Sequence, residues 1–155
     1  RLFAIIEEIG DDDTASLQAV WRRLSTFLEV HALAEEKHFY PALLKTGEGA
    51  GGKESAEDET AHAIKDHNKI RDAIREVSRH AVGSRGWREA VAAANKENSD
   101  HMGEEEREGL TDFRLNAPVS LRHELAIRFI AFETTHIEGV ESRNRDPEDY
   151  VEANI

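Results

Sequence analysis

Apolar residues recur at intervals of three and four along almost the whole chain, and this spacing admits one class of structure. A helix puts such positions on one stripe, whereas a strand would scatter them over both faces. Only three prolines occur in 155 residues, and they sit near breaks in the pattern. The periodicity therefore predicts an all-α chain. A hydrophobic content of 39% supplies one core of ordinary size, so the helices must share it. The fold expected is an up-and-down four-helix bundle with an additional C-terminal helix.

The punctuation divides this pattern. Leu2, Ile5, Ile6 and Ile9 form a stripe ending at Gly10, as expected for the last turns of a helix already running at Arg1. After the acidic segment Asp11 to Thr14, a second stripe from Leu17 through Leu24 and Leu28 continues to Tyr40 and stops at Pro41. The glycine-rich stretch from Thr46 to Lys53 reads as a flexible connection. Ser55 then opens a third helix that runs to about Val82. Gly83 to Gly86 makes a turn, and a fourth helix runs from Trp87 to about Glu108. A linker through Asn116 and Pro118 leads to a fifth helix of about eighteen residues capped by Ser120 and packed from outside. Arg143 to Ile155 is polar and is expected to lie along the surface or fray. Residues 1–112 are read as the bundle and residues 113–155 as a helical extension on the same domain.

Charge and cysteine usage exclude several classes of function. Twenty basic against 32 acidic residues give a formal charge of -12, which repels nucleic acid and anionic membranes. The absence of cysteine removes disulfides, thiolate metal sites and cysteine nucleophiles. Any metal must be held by nitrogen and oxygen. No apolar run approaches the ~20 residues of a membrane span, so a soluble, cytoplasmic protein is the default expectation. Nothing resembles a nucleophilic triad, and the glycines near Ala50 lack the following Lys-Ser or Lys-Thr of a phosphate loop.

The informative positions are those where polar residues interrupt the stripes. Leu17, Leu24, His31 and His38 fall at heptad intervals, so His31 stands where a core leucine is expected, with Glu35 one turn further on. His67 lies on the stripe of Ile70, Ile74 and Val77. The fourth helix places His101 and Glu105 inward. Both His31 to Glu35 and His101 to Glu105 have i, i+4 spacing, which stacks the two side chains on one face. In antiparallel hairpins, residues equidistant from the loop lie level. With turns centred near residues 84 and 50, His101 and His31 both fall in the layer of His67. Three imidazoles and two carboxylates thus converge, with no obviously facing Lys or Arg on the stripes. Burying such carboxylates unpaired is costly, and a cation resolves the cost. Imidazoles as terminal ligands and carboxylates spanning two cations are what a bridged metal pair needs.

The segments HALAEEKHFYPAL, DHNKIRDAI and HMGEEERE, in this order over residues 1 to about 110, resemble the successive signatures of hemerythrin-like, or HHE cation-binding, domains. The resemblance implies a carboxylate-bridged, non-haem centre of two iron ions. His31, His67 and His101 would be its nitrogen ligands, and Glu35 and Glu105 its bridges. It implies binding of, or reaction with, dioxygen or peroxide, in carriage, sensing or peroxide turnover; the ligands alone do not distinguish these. The family's first helix supplies a further histidine, which Arg1 to Gly10 lacks. A position level with His31 would fall one to two turns upstream of Arg1. Oxygen-binding members also carry a second histidine on the third helix. His62 lies at the right depth, but its five-residue offset from His67 turns it about 140° round an ideal helix.

Other polar positions are less specific. His38 is read as a donor to a ligand, a substitute ligand or a polar residue at the bundle end, and Tyr40 as core. Asn98 could bond a ligand imidazole, while His80, His123 and His136 have no assigned partner. Two further readings remain open. Glu35-x-x-His38 and Glu59-x-x-His62 fit the spacing of a ferritin-like di-iron oxidase, although Glu59 falls too deep to meet Glu35. A metal-free interaction bundle would use an exposed face of the fifth helix.

Overall fold

The computed structural model describes residues 1–155 and contains helices and no strands. A short α1 (Leu2–Glu8) turns into α2 (Thr14–Ala34), where the Asp13 carboxylate accepts from Ser16 N–H as N-cap. α4 (Ala56–Val77) and α5 (Arg85–Arg107) start at Ser55 and Ser84, whose hydroxyls accept from the Asp58 and Trp87 amides. Gly83 sits at φ +79°, and a Cβ there would meet the Asp11 carbonyl at 2.3 Å. The α4–α5 turn can therefore lie against the α1–α2 turn only with glycine. Arg88 fastens the same corner by donating to the carbonyls of Ile6 and Ile9, both at 2.6 Å, at the open end of α1.

Several boundaries differ from the sequence expectation. α2 does not stop at Pro41. It loosens into a π-helical turn, Glu35–Phe39, and continues as α3 (Tyr40–Thr46), with Pro41 in the first turn where a missing N–H is tolerated. α4 ends five residues before the expected Val82. The connection read as flexible is pinned, because Asp112 accepts from the Glu48 and Gly49 amides and Glu59 from the Ala50 amide. The expected linker contains a helix, α6 (Gly109–Asn116), and α7 (Val119–Thr135) begins after Pro118 with no side-chain cap, so Ser120 lies inside it. The C-terminal segment does not fray throughout. Asp146 caps α8 (Pro147–Glu152), which buries Tyr150 and Val151 against the bundle.

Two main apolar cores result, with a smaller cluster of Val30, Ala34 and Phe132 where α7 meets α2. At one end Ile6, Leu17, Leu24, Leu28, Ile70, Val77 and Trp87 pack together, and at the other Phe39, Tyr40, Leu43, Ile64 and Phe113 do so. Each large side chain buried this way contributes about 1.5–3 kcal/mol. Charged and polar residues are buried between them: Glu35, Glu36, His67, Arg71 and His101. The fold tolerates that layer because an apolar cluster closes it on each side.

Candidate metal centre

The π turn shapes the site. Tyr40 N–H reaches back five residues to the Glu35 carbonyl, so the next bond in this register would join Pro41 to the Glu36 carbonyl. Pro41 has no N–H to give. The Tyr150 hydroxyl takes its place on the Glu36 carbonyl. Widening the turn buries Glu35, Glu36, Phe39 and Tyr40 together. Adjacent glutamates thereby serve two neighbouring groups instead of one facing solvent.

His67, 1% exposed, is the hub. Its Nδ1 lies 2.9 Å from Glu36 Oε1, and Arg71 at 2.6 Å and Arg145 at 2.7 Å hold that carboxylate. An ionised carboxylate only accepts, so Nδ1 carries a hydrogen, and a ring that gives up its second proton to a metal presents a lone pair at Nε2. That nitrogen faces Glu35 Oε2 at 3.0 Å and His101 Nε2 at 3.2 Å. Glu35 Oε2 is buried and, despite this proximity, is out of line for a hydrogen bond. The other oxygen of Glu35 lies 3.1 Å from His31 Nε2, and His31 Nδ1 lies 2.8 Å from Glu133 of α7. Tyr40 donates to Glu105 Oε1 at 2.8 Å and stands 3.4 Å from His67 Nε2. Glu35 therefore turns one oxygen to His31 and the other to the His67–His101 pair.

Only positive charge relieves this grouping, and without a metal protons supply it. Burial opposes a charge on His67, but Glu35 and Glu36 outweigh it and raise the ring to about 9. Burial likewise opposes His31, which Glu35 and Glu133 lift to about 10. Burial would raise Glu35, yet the surrounding imidazoles of His101, His31 and His67 hold it well below the usual carboxylate range. Glu105 behaves oppositely: burial, then the charge of Glu35, push it up to about 8. A cation among Glu35 Oε2, His67 Nε2 and His101 Nε2, which all lie within 4.8 Å of one another, does the same work as those protons. The donor set fits a metal held by nitrogen and oxygen.

Other sequence candidates lie elsewhere. His62 faces Glu104 and Glu108, away from Glu35. His38 packs its ring edge-on against Phe132 and touches no candidate ligand, and Asn98 donates to the Met102 sulfur. His80 pairs with Glu76, and His136 bonds the Phe132 carbonyl. Glu59 meets the Ala50 amide and His38 packs on Phe132, so the two Glu-x-x-His pairs do not assemble. The expectation of no inward cation on the stripes is corrected by Arg71, which is 1% exposed. Its position four residues after His67 was the available signal. Tyr40, read as core, carries a hydroxyl that a buried ring must satisfy. Glu133, Arg145 and Tyr150 approach from the C-terminal segment, and no spacing in the sequence announces them.

The His31 side opens on an apolar cavity of about 580 Å³, lined by His31, Glu35, Glu105, Met102, Phe113 and Phe129 among others. The His67 side is closed by α4 and α8. Fold and site together define a helical bundle that gathers histidine and carboxylate ligands for a cation in its middle. The model of the hemerythrin HHE cation-binding domain matches residues 1–110, and the chain belongs to that family. It is a metal-binding helical domain. No curated protein and no solved structure matches the chain. No helix is long and apolar enough to cross a membrane.

Proposed function

We propose that the domain holds two iron ions through His31, His67, His101, Glu35 and Glu105 and reacts with dioxygen or peroxide. The observation that carries this reading is Glu35, whose two oxygens face nitrogen ligands on opposite sides. That is the disposition of a carboxylate shared by two cations. Glu105 lies beside Tyr40 as the second shared carboxylate. A bound ferrous pair would supply the electrons for reaction with dioxygen or peroxide at an open coordination position.

The protein's own groups do the rest. Glu36 and Glu133 each accept from the Nδ1 of one imidazole, fix its tautomer and turn Nε2 toward Glu35. Tyr40 keeps a hydroxyl proton beside Glu105, burial and the Glu105 charge raising it well above the usual phenol range. It is thus a hydrogen-bond donor, not a phenolate. Met102, Phe113 and Phe129 give small uncharged molecules an apolar approach. Residues 1–112 act as the metal-binding bundle, and residues 113–155 as an extension that supports it.

The test is metal content and absorption of protein purified without added metal, before and after air. Two irons per chain with an oxygen-dependent near-ultraviolet band are expected. No iron after ferrous reconstitution, or an unchanged stoichiometry in His101→Ala, overturns the assignment. Added peroxide then separates roles: sustained oxygen evolution means turnover, and a single spectral change means carriage or sensing.

A further inference from the structure

A second group of metal-ligating side chains lies between α4 and α5, outside the central layer. His62 Nε2 is 3.5 Å from Glu104 Oε2 and 3.9 Å from Asp66 Oδ2. The ligand atoms of these three residues lie within 4.8 Å of one another. Hydrogen-bonded imidazole–carboxylate pairs close to about 2.7–2.9 Å, so these atoms are too far apart to be bonded directly. Ligand atoms ~2.1 Å from a shared tetrahedral cation stand ~3.4 Å from each other, which is close to the spacing seen.

The surroundings orient the group. His62 Nδ1 lies 3.2 Å from Glu108 Oε2, which places the hydrogen on Nδ1 and leaves Nε2 bare toward Asp66 and Glu104. Lys69 takes Asp66 Oδ1 at 2.6 Å and leaves Oδ2 facing His62. The other nearby cation, Lys53, stands 3.9 Å from Glu108. Asp66 is 5% exposed, so its charge is buried, whereas the Glu104 side chain is one third exposed and gives access from solvent.

An independent feature points to a ligand here. Glu59 is 2% exposed and its Oε2 has no hydrogen-bond partner. It lines the same small cavity as His62, Asp66, Glu104 and Glu108, a space of about 10 Å³ that accommodates one water-sized species. Five carboxylates, Glu105 of the central layer among them, and the imidazoles of His62 and His101 thus line a space of single-ion size.

We propose that His62, Asp66 and Glu104 form a second, mononuclear site for a divalent first-row cation, with Glu108 orienting His62. One imidazole and two carboxylates suit zinc, manganese or ferrous iron better than calcium, which takes oxygen alone. Water completes the coordination on the exposed side of Glu104. Its three ligands are distinct from those of the central layer, while His101 and Glu105 of that layer line the far side of the same cavity.

The experiment measures zinc bound per chain, by equilibrium titration of the metal-free protein, for wild type and for the His62→Ala, Glu104→Gln and His101→Ala variants. His62→Ala is expected to bind one zinc fewer than wild type. His101→Ala keeps the zinc that His62→Ala loses, so failure of the central centre and failure of this site give different patterns. Glu104→Gln, a partly exposed and nearly isosteric change that leaves the fold intact by circular dichroism, weakens the site at least about ten-fold. Cobalt(II) as a spectroscopic probe gives visible absorption that is weaker in His62→Ala than in wild type by the contribution of one site. Equal zinc stoichiometry and affinity in wild type, His62→Ala and Glu104→Gln overturns the proposal, as does wild type binding no zinc.

Discussion

The two walls of the central layer use the same device and differ in how it is held. On the α4–α8 wall, His67 gives Nδ1 to Glu36, and Arg71 and Arg145 neutralise that carboxylate in a closed interior. On the α7 wall, His31 gives Nδ1 to Glu133, with no arginine and an apolar cavity alongside. The first wall is an ion-pair network whose geometry does not need a metal. The second is an adjustable edge facing the approach route. Rigidity on one side and access on the other allow ligands to be fixed while a small molecule enters.

The largest effect is expected from breaking the rigid wall. Arg71→Ala leaves the buried Glu36 carboxylate short of a cation and should cost about 3–5 kcal/mol, read from denaturant unfolding of the metal-free protein. A loss below about 1 kcal/mol would mean that Arg145 alone sustains the wall.

The pH response tests both walls together. Against the opposing effect of burial, neighbouring carboxylates push His67 up to about 9 and His31 up to about 10 from an ordinary value of 6.5. Their charged forms therefore stabilise the metal-free fold fully below pH 6.5, and that contribution is lost as pH rises through 9 to 10. Glu105, raised to about 8 from 4.5, acts in the same direction over its lower window. Metal-free protein should thus lose stability between about pH 6.5 and 10, and metal-bound protein should not, since the ion replaces these protons. Denaturant midpoints across that range check it; parallel profiles would separate the histidines from the metal.

Glu133→Gln sharpens the contrast on the open wall. It should lower iron affinity about 10–100-fold while changing fold stability by less than about 1 kcal/mol, as measured by metal titration and thermal melting. An equal loss of stability and affinity would make Glu133 a packing residue. The smallest effect is expected outside both walls. Arg128→Ala removes an exposed pair with Glu124 on α7 and should change stability by less than about 0.5 kcal/mol.

The helical fold was legible because its punctuation is local. Asp13, Ser55, Ser84 and Gly83 act within a turn of their own positions, and the 3–4 spacing survives between them. α6 and α8 were not, because each is short and α8 buries little beyond Tyr150 and Val151. The π turn was misread as a stop at Pro41, since a one-residue change of register leaves no period to detect. His67 and His101 could be brought together by counting from the α4–α5 turn, and their Nε2 atoms lie 3.2 Å apart. Glu133 could not be found that way. Its approach to His31 depends on how α7 docks, which interhelical packing decides and local sequence does not.

The bond between Tyr150 and the Glu36 carbonyl spans 114 residues, and the Arg145–Glu36 pair spans 109. A chain emerging from the ribosome can form α2, α4 and α5 before either partner has been synthesised. His67 and His101 can then be juxtaposed, but Glu36 is still short of the arginine and the hydroxyl that lock it. The centre would therefore acquire its final affinity only after residue 150 has emerged, and a nascent chain halted earlier would hold its metal more loosely than one that has passed that point. The placement of α8 makes maturation of the site depend on residues far downstream of its ligands.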